Sequence, residues 1–221
     1  MEMEPQKRPR VLCFHGFRLS ASILQNLLLR WTEAVHNKMD LEFIDAPFPA
    51  QGEPSFQGRY DPPFFEWFQA NQDFSEFYNF DQCVKFVEDY MVEKGPFDGL
   101  LGFSQGGILT GALAGMQMNG DALTCVPKIK FAVMISGGRF GFNRFPGIPN
   151  LAVNAYSSPI DCLSLHVIGE EDFMKEDGLA LASAFEEPVV VRHPVGHTVP
   201  RMEGDNLVAL VDFVHRIADL F

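Results

Sequence analysis

Six short runs rich in Val, Ile, Leu and Phe recur along this chain, and longer amphipathic stretches fill the gaps between them. The runs are Arg10–Phe14 (RVLCF), Leu41–Asp45 (LEFID), Phe97–Phe103 (FDGLLGF), Ile129–Ile135 (IKFAVMI), Leu163–Ile168 (LSLHVI) and Val189–Arg192 (VVVR). Strands this continuously apolar have no wet face, so both sides of their sheet must be covered. Strand alternating with helix gives parallel pairing, with the helices as the cover. The expected fold class is therefore α/β, a mostly parallel sheet of about six strands with helices on both faces. The helices fall at Leu19 to about His36, where Leu19, Ile23, Leu27, Leu28 and Val35 lie near helical spacing, and at Asn79 to Lys94, closed by Gly95-Pro96. Others run from about Ser104 to Met118, from about Lys175 to Phe185, and from near Asp205, where Leu207, Leu210, Val211, Val214, Ile217 and Phe221 form one stripe.

The 221 residues fit one domain, 1–221, better than two. Two connections are too long to be mere links: about 46–78, and Ser136 to about Cys162. The first carries PPFFEWF (Pro62–Phe68), then Phe74, Phe77 and Tyr78, an aromatic load too heavy for a disordered insertion. Phe64, Phe65, Trp67 and Phe68 are expected to form part of an apolar wall or cap for a ligand; the alternative is a local hydrophobic mini-core.

Charge excludes some partners. Seventeen Lys and Arg stand against 29 Asp and Glu, a net charge of −12. Nucleic-acid binding needs clustered basic residues, and anionic membranes attract none of this surplus. Met1 to Arg10 is charged and lacks the apolar run of a secretory signal, and no stretch reaches membrane-spanning length. Cys13, Cys83, Cys125 and Cys162 are widely spaced, as expected of reduced core thiols in a cytoplasmic protein, and no soft-ligand cluster suggests a metal. Oligomeric state has no signature in the sequence.

Chemistry concentrates where strands end, because open parallel sheets place their sites at the carboxyl ends of the strands. Gly102-Phe103-Ser104-Gln105-Gly106 sits between the third strand and a small-residue helix. That context turns a weak five-residue pattern into a nucleophile elbow, in which glycines permit a strained turn and lift the serine hydroxyl out. The bland alternative is an N-cap serine in a glycine-rich turn. A serine needs a base. Among six histidines, His36 and His215 lie on amphipathic helices and His166 inside a strand, which leaves His193 and His197 after the last strand. His197, in Gly196-His197-Thr198-Val199-Pro200, is favoured because His193 abuts the strand and Pro194. Asp172, in Gly169-Glu170-Glu171-Asp172, is the choice for the acid; Glu170 and Glu171 are rivals, and Asp177 a weaker one. The backbone N–H groups of Gln105 and of Phe17, in His15-Gly16-Phe17 after the first strand, are the oxyanion-hole candidates. His15 then orders its loop.

These motifs, His15-Gly16-Phe17, Gly102 to Gly107, Ile135-Ser136-Gly137-Gly138, Gly169 to Asp172 and Gly196 to Pro200, occur in order over nearly the whole chain. Together they resemble the small serine hydrolase family of fungi and plants, the one that includes the human ovarian-cancer-associated serine hydrolase. The resemblance implies an α/β-hydrolase fold that begins near the third strand of larger versions. It implies a triad of Ser104, Asp172 and His197, esterase or thioesterase activity on acyl esters, often of medium or long chain, and no cofactor. Gln51 to Asp73 is where this sequence departs from the family pattern. The expected function is hydrolysis of small-molecule esters or thioesters with an apolar acyl chain, through an acyl-enzyme on Ser104. The rivals on the same fold are a ligand receptor with slow or no turnover and a non-catalytic interaction protein.

Overall fold

The computed structural model describes residues 8–52 and 59–221. Residues 1–7, which carry most of the charged N-terminal stretch, and 53–58, inside the first long connection, lie outside the described residues. The sheet has six strands: β1 Arg10–Phe14 and β2 Asp40–Ile44 early in the chain, then, after four two-residue strands described below, β7 Gly99–Phe103, β8 Phe131–Ile135, β9 Leu163–Gly169 and β10 Val189–His193. Their order is β10-β9-β8-β7-β1-β2, and every neighbouring pair is parallel. β7 and β8 are buried at every residue, whereas the edge strands β2 and β10 are only partly buried. The burial splits by parity. Leu12 and Phe14 of β1 enter one core layer, and Val11 and Cys13 enter the other, because successive side chains on a strand point to opposite faces.

The connectivity positions the site. From β1 the chain steps outward to β2, and from β7 onward it walks the other way. The loops after β1 and β7 therefore diverge and leave a crevice at the carboxyl edge, the place where open α/β sheets bind ligands.

Among the described residues, six helices cover the sheet: α1 Ala21–Leu28, α2 Glu33–His36, α3 Phe80–Lys94, α4 Gln105–Asn119, α5 Lys175–Ala182 and α6 Gly204–Ala218. The single helix expected from Leu19 to His36 is in fact two. Arg30 and Trp31 donate to the carbonyls of Leu27 and Leu28, which tightens the end of α1, and Thr32 turns extended before α2. Leu27, Leu28 and Leu29 are consecutive, so no helical face can bury all three; Leu29 is left 69% exposed while Trp31 is buried.

Both long connections carry structure. In the first, β3 Phe48–Pro49 pairs with β4 Phe65–Glu66, and β5 Gln69–Ala70 with β6 Phe77–Tyr78, all antiparallel. The second contains a bridge between Phe142 and Phe145 and a single 3₁₀ turn, Asn150–Ala152. They meet where the Gly147 N–H donates to the Phe74 carbonyl.

Candidate active site

Ser104 sits between β7 and α4 with φ 54° and ψ −116°, a left-handed conformation that a serine adopts only when its surroundings impose it. The imposition is close packing. A Cβ on Gly102 would strike the Gly106 carbonyl, and one on Gly106 would strike the carbonyls of Phe14 and His15. Only glycine fits at either position. The turn presents Ser104 Oγ to the crevice, 2.8 Å from Nε2 of His197.

His197 lies in the loop after β10. Its Nδ1–H donates to Asp172 Oδ1 at 2.9 Å, and the Met174 N–H donates to the same oxygen at 2.8 Å. The three side chains thus form one hydrogen-bonded relay across three strand ends. Burial alone would raise the Asp172 carboxyl; the hydrogen bond and charge of His197, with the nearby Ser136 hydroxyl and the Met174 N–H, outweigh it and hold the group below the usual carboxylate range. The imidazole is flanked by two rings, Phe103 at 5.3 Å and Phe173 at 4.4 Å between centroids.

The rivals are occupied elsewhere. Glu170 pairs with Lys175 at 2.6 Å and Arg192 at 3.2 Å. Glu171 is exposed. Asp177 accepts the Arg144 N–H at 3.1 Å and so fastens the second long connection to α5. His193 ends β10, buried, with neither ring nitrogen partnered. His166 is buried inside β9, and burial pulls it down to about 3. His36 donates to the Leu28 carbonyl at 2.9 Å.

Phe17 and Gln105 follow β1 and Ser104 respectively, on the two sides of the crevice, and among the described residues neither backbone N–H is held by a protein acceptor. His15 braces the first loop. Its Nε2 accepts the Ala46 N–H at 3.1 Å while Nδ1–H donates to the Gly16 carbonyl at 2.8 Å, and burial pulls the imidazole down to about 4, so it stays neutral. The side chain of Gln105 has a role that the sequence did not signal. It accepts the Trp67 N–H at 3.0 Å and donates to the Phe68 carbonyl at 2.7 Å, pinning the first connection to the elbow.

A cavity of about 400 Å³ opens at the relay and reaches Ser104, Gln105 and His197. Its apolar walls include Phe68, Phe74, Phe77, Phe103, Phe145 and Phe173. Phe68 was expected there. The expectation for Phe64, Phe65 and Trp67 is corrected: none lines the cavity. Trp67 is fully buried, packs edge-on to Phe14 at 5.0 Å, and donates its indole N–H to the His15 carbonyl at 2.8 Å. A buried indole N–H needs an acceptor, and this one lies away from the cavity. Phe64 and Phe65 pack against the two core layers instead. The cavity wall is completed by Phe145 from the second connection and Phe173 beside the acid, which no periodicity marks.

Among the described residues no three His, Cys, Asp or Glu side chains converge as a metal site, and no helix is long and apolar enough to cross a membrane. The family model described as "Serine hydrolase (FSH1)" matches residues 3–206. An esterase of Anopheles gambiae is 31% identical over 205 residues, covering 88% of this chain and 73% of that protein. The esterase OVCA2 of Xenopus tropicalis is 29% identical over 214 residues, covering 88% of each chain. Among solved structures, acyl-protein thioesterase 2 of Zea mays superposes with a TM-score of 0.62 at 17% identity, over 99% of this chain and 97% of that one. SOBER1 of Arabidopsis thaliana superposes with a TM-score of 0.57 at 18% identity, over 95% and 99%. At such identities the structural likeness speaks for the fold alone.

Proposed function

Because this chain belongs to the FSH1 family of serine hydrolases, and has the α/β-hydrolase fold, we propose that Ser104, His197 and Asp172 are its catalytic triad. The reaction proposed is cleavage of carboxylic esters or thioesters with an apolar acyl group. The observation that carries this is the relay, 2.8 Å from hydroxyl to imidazole and 2.9 Å from imidazole to carboxylate, at the floor of an apolar cavity.

In the first half-reaction Ser104 Oγ attacks the acyl carbon as its proton passes to His197 Nε2. The negative charge moves to the carbonyl oxygen, which the N–H groups of Gln105 and Phe17 receive; one such donor contributes about 2.7–4 kcal/mol. The C–O or C–S bond to the leaving group breaks, and His197 returns the proton to that group. Water then gives a proton to His197, attacks the acyl-enzyme, and releases the acid with Ser104 restored. Asp172 stays ionised throughout and holds the tautomer in which Nε2 accepts. No step calls for a cofactor.

We also read the chain as one domain, 1–221, with an aromatic-rich insertion at about 46–78, and as a cytoplasmic protein. All four cysteines carry free thiols, which supports a reducing compartment.

The test is a fluorophosphonate probe followed by an ester and thioester panel of increasing acyl length. The reading expects the wild type to be labelled and to turn over, and Ser104→Ala to do neither. Labelling of Ser104→Ala, or turnover far below ~1 s⁻¹ on every substrate, would overturn it in favour of a binding protein.

A further inference from the structure

A second cavity, of about 470 Å³, lies beside the His197 loop and is lined by Arg30, Arg59, Val195, Thr198, Pro200 and Arg201. Three of its six residues are arginines, in a chain with 17 basic residues against 29 acidic ones. Among the described residues, no carboxylate lines it. Among the described residues, the arginines in ion pairs, Arg8, Arg10, Arg18 and Arg192, form them elsewhere. Like charges gathered around one concavity repel, and they focus a positive potential onto whatever anion enters.

Arg30 is held in place. It sits in the break between α1 and α2, and its Nη1 donates to Thr198 Oγ1 at 3.1 Å and to the Val199 carbonyl at 2.8 Å. A guanidinium has five N–H donors, so this anchoring leaves others for a ligand. The loop from Val195 to Thr198 is shared: Val195 and Thr198 wall the arginine cavity, and His197 walls the acyl cavity.

We propose that Arg30, Arg59 and Arg201 form an anion subsite for a phosphate on the leaving group of the substrate. The proposal rests on the hydrolase reading above. The acyl chain occupies the aromatic cavity, the scissile bond lies at Ser104, and the alcohol or thiol portion passes the His197 loop to reach the arginines. Guanidinium groups match phosphate oxygens in pairs, which makes arginine the fitting residue here. A phosphate-bearing leaving group also explains why a molecule of net charge −12 keeps three arginines together: they offset, locally, a field that would otherwise turn such a substrate away.

The experiment compares two thioesters of one acyl chain, a neutral N-acetylcysteamine thioester and a phosphate-bearing coenzyme A thioester, on wild type and on Arg59→Ala/Arg201→Ala. Arg30 is left intact because it braces the His197 loop. The double variant should lose tenfold or more in kcat/KM on the coenzyme A thioester, chiefly through KM, and added salt should weaken wild-type activity on that substrate alone. The neutral thioester reports folding and the relay; if wild type fails to cleave it, the hydrolase reading fails, not the subsite. An equal loss on both thioesters, or no loss on either, would overturn the subsite. Titration of inorganic phosphate into Ser104→Ala by calorimetry needs no turnover: heat that disappears when Arg59→Ala/Arg201→Ala is added supports the anion site. Such heat together with identical kinetics on the two thioesters would assign the arginines to free phosphate and overturn the leaving-group role.

Discussion

The cavity at the sheet's carboxyl edge has two unlike ends. At the polar end, Ser104, His197 and Asp172 are joined by hydrogen bonds of 2.8 and 2.9 Å, and Gln105 and His15 fix the loops beside them. At the aromatic end, the lining rings Phe68 and Phe77 meet the core rings Phe80 and Phe140 behind them edge to face, with centroids 4.8–5.8 Å apart across the group. Hydrogen bonds are directional, so losing one partner strands the others. Ring contacts are many and individually small, and a neighbour can partly close the gap. The polar end should therefore fail abruptly under substitution, and the aromatic end by degrees.

The sharpest break is Asp172→Asn. The amide leaves the geometry in place but favours the wrong imidazole tautomer, and kcat should fall about 10⁴-fold with KM near the wild-type value. Steady-state kinetics on a short neutral ester checks this. A loss of only a few-fold would mean that the relay does not set the rate, and the contrast between the two ends would vanish.

Trp67 joins the two ends. It is buried like a core aromatic, yet its indole N–H holds the carbonyl of His15, in the loop that carries Phe17. Trp67→Ala should cost about 3–5 kcal/mol of stability, measured by urea unfolding. Trp67→Phe separates the two roles. It keeps a buried ring but leaves the His15 carbonyl unpaired, at a cost of about 1–3 kcal/mol, and it should lower kcat where a simple packing residue would not. A Trp67→Phe protein with wild-type kcat would place Trp67 wholly in the aromatic end.

The same contrast explains what was legible in the sequence. The alternation of strand and helix, the elbow and the relay leave local marks: short apolar runs between amphipathic stretches, glycines at Gly102 and Gly106, a serine between strand and helix, an acid and a base after later strands. Each mark reflects a backbone or hydrogen-bond requirement that few residues satisfy. The aromatic wall leaves no such mark. Phe64, Phe65 and Trp67 are as aromatic as Phe68, and only the fold turns Phe68 toward the cavity and Trp67 away from it. Phe145 and Phe173 come from other loops, and the break at Leu29–Thr32 follows from tertiary burial of Trp31, which helical spacing alone does not encode.

Acid should expose the polar groups outside the relay. Burial holds His15 near 4 and His166 near 3, both below the ordinary 6.5. The unfolded chain then takes up protons before the native one does, so stability falls as pH drops through about 6.5, and each contribution levels off only below the folded value. Each such imidazole contributes a slope of about 1.4 kcal/mol per pH unit in that window. His166→Leu, packed on Phe185 in the same space, should flatten the slope between pH 6 and 4 by about that amount in urea melts at a series of pH values. An unchanged slope would mean that His166 is protonated in the native state.

The smallest effect belongs to the cavity mouth. Phe74 is 41% exposed, packs edge-on to Phe145 at 5.3 Å, and joins the two long connections where its carbonyl accepts the Gly147 N–H. An edge-on ring contributes about 0.5–1.5 kcal/mol beyond its buried area, and the partial exposure of Phe74 keeps its contribution at the small end. Phe74→Ala should therefore reduce the preference for long over short acyl esters by roughly two- to tenfold in kcat/KM, while kcat on the shortest ester stays at the wild-type level. The ratio is the informative quantity, because a general loosening of the fold would lower both substrates together. If the ratio held while both rates fell, Phe74 would act through the polar end, and the aromatic rings could no longer be treated as a wall that senses only the acyl chain.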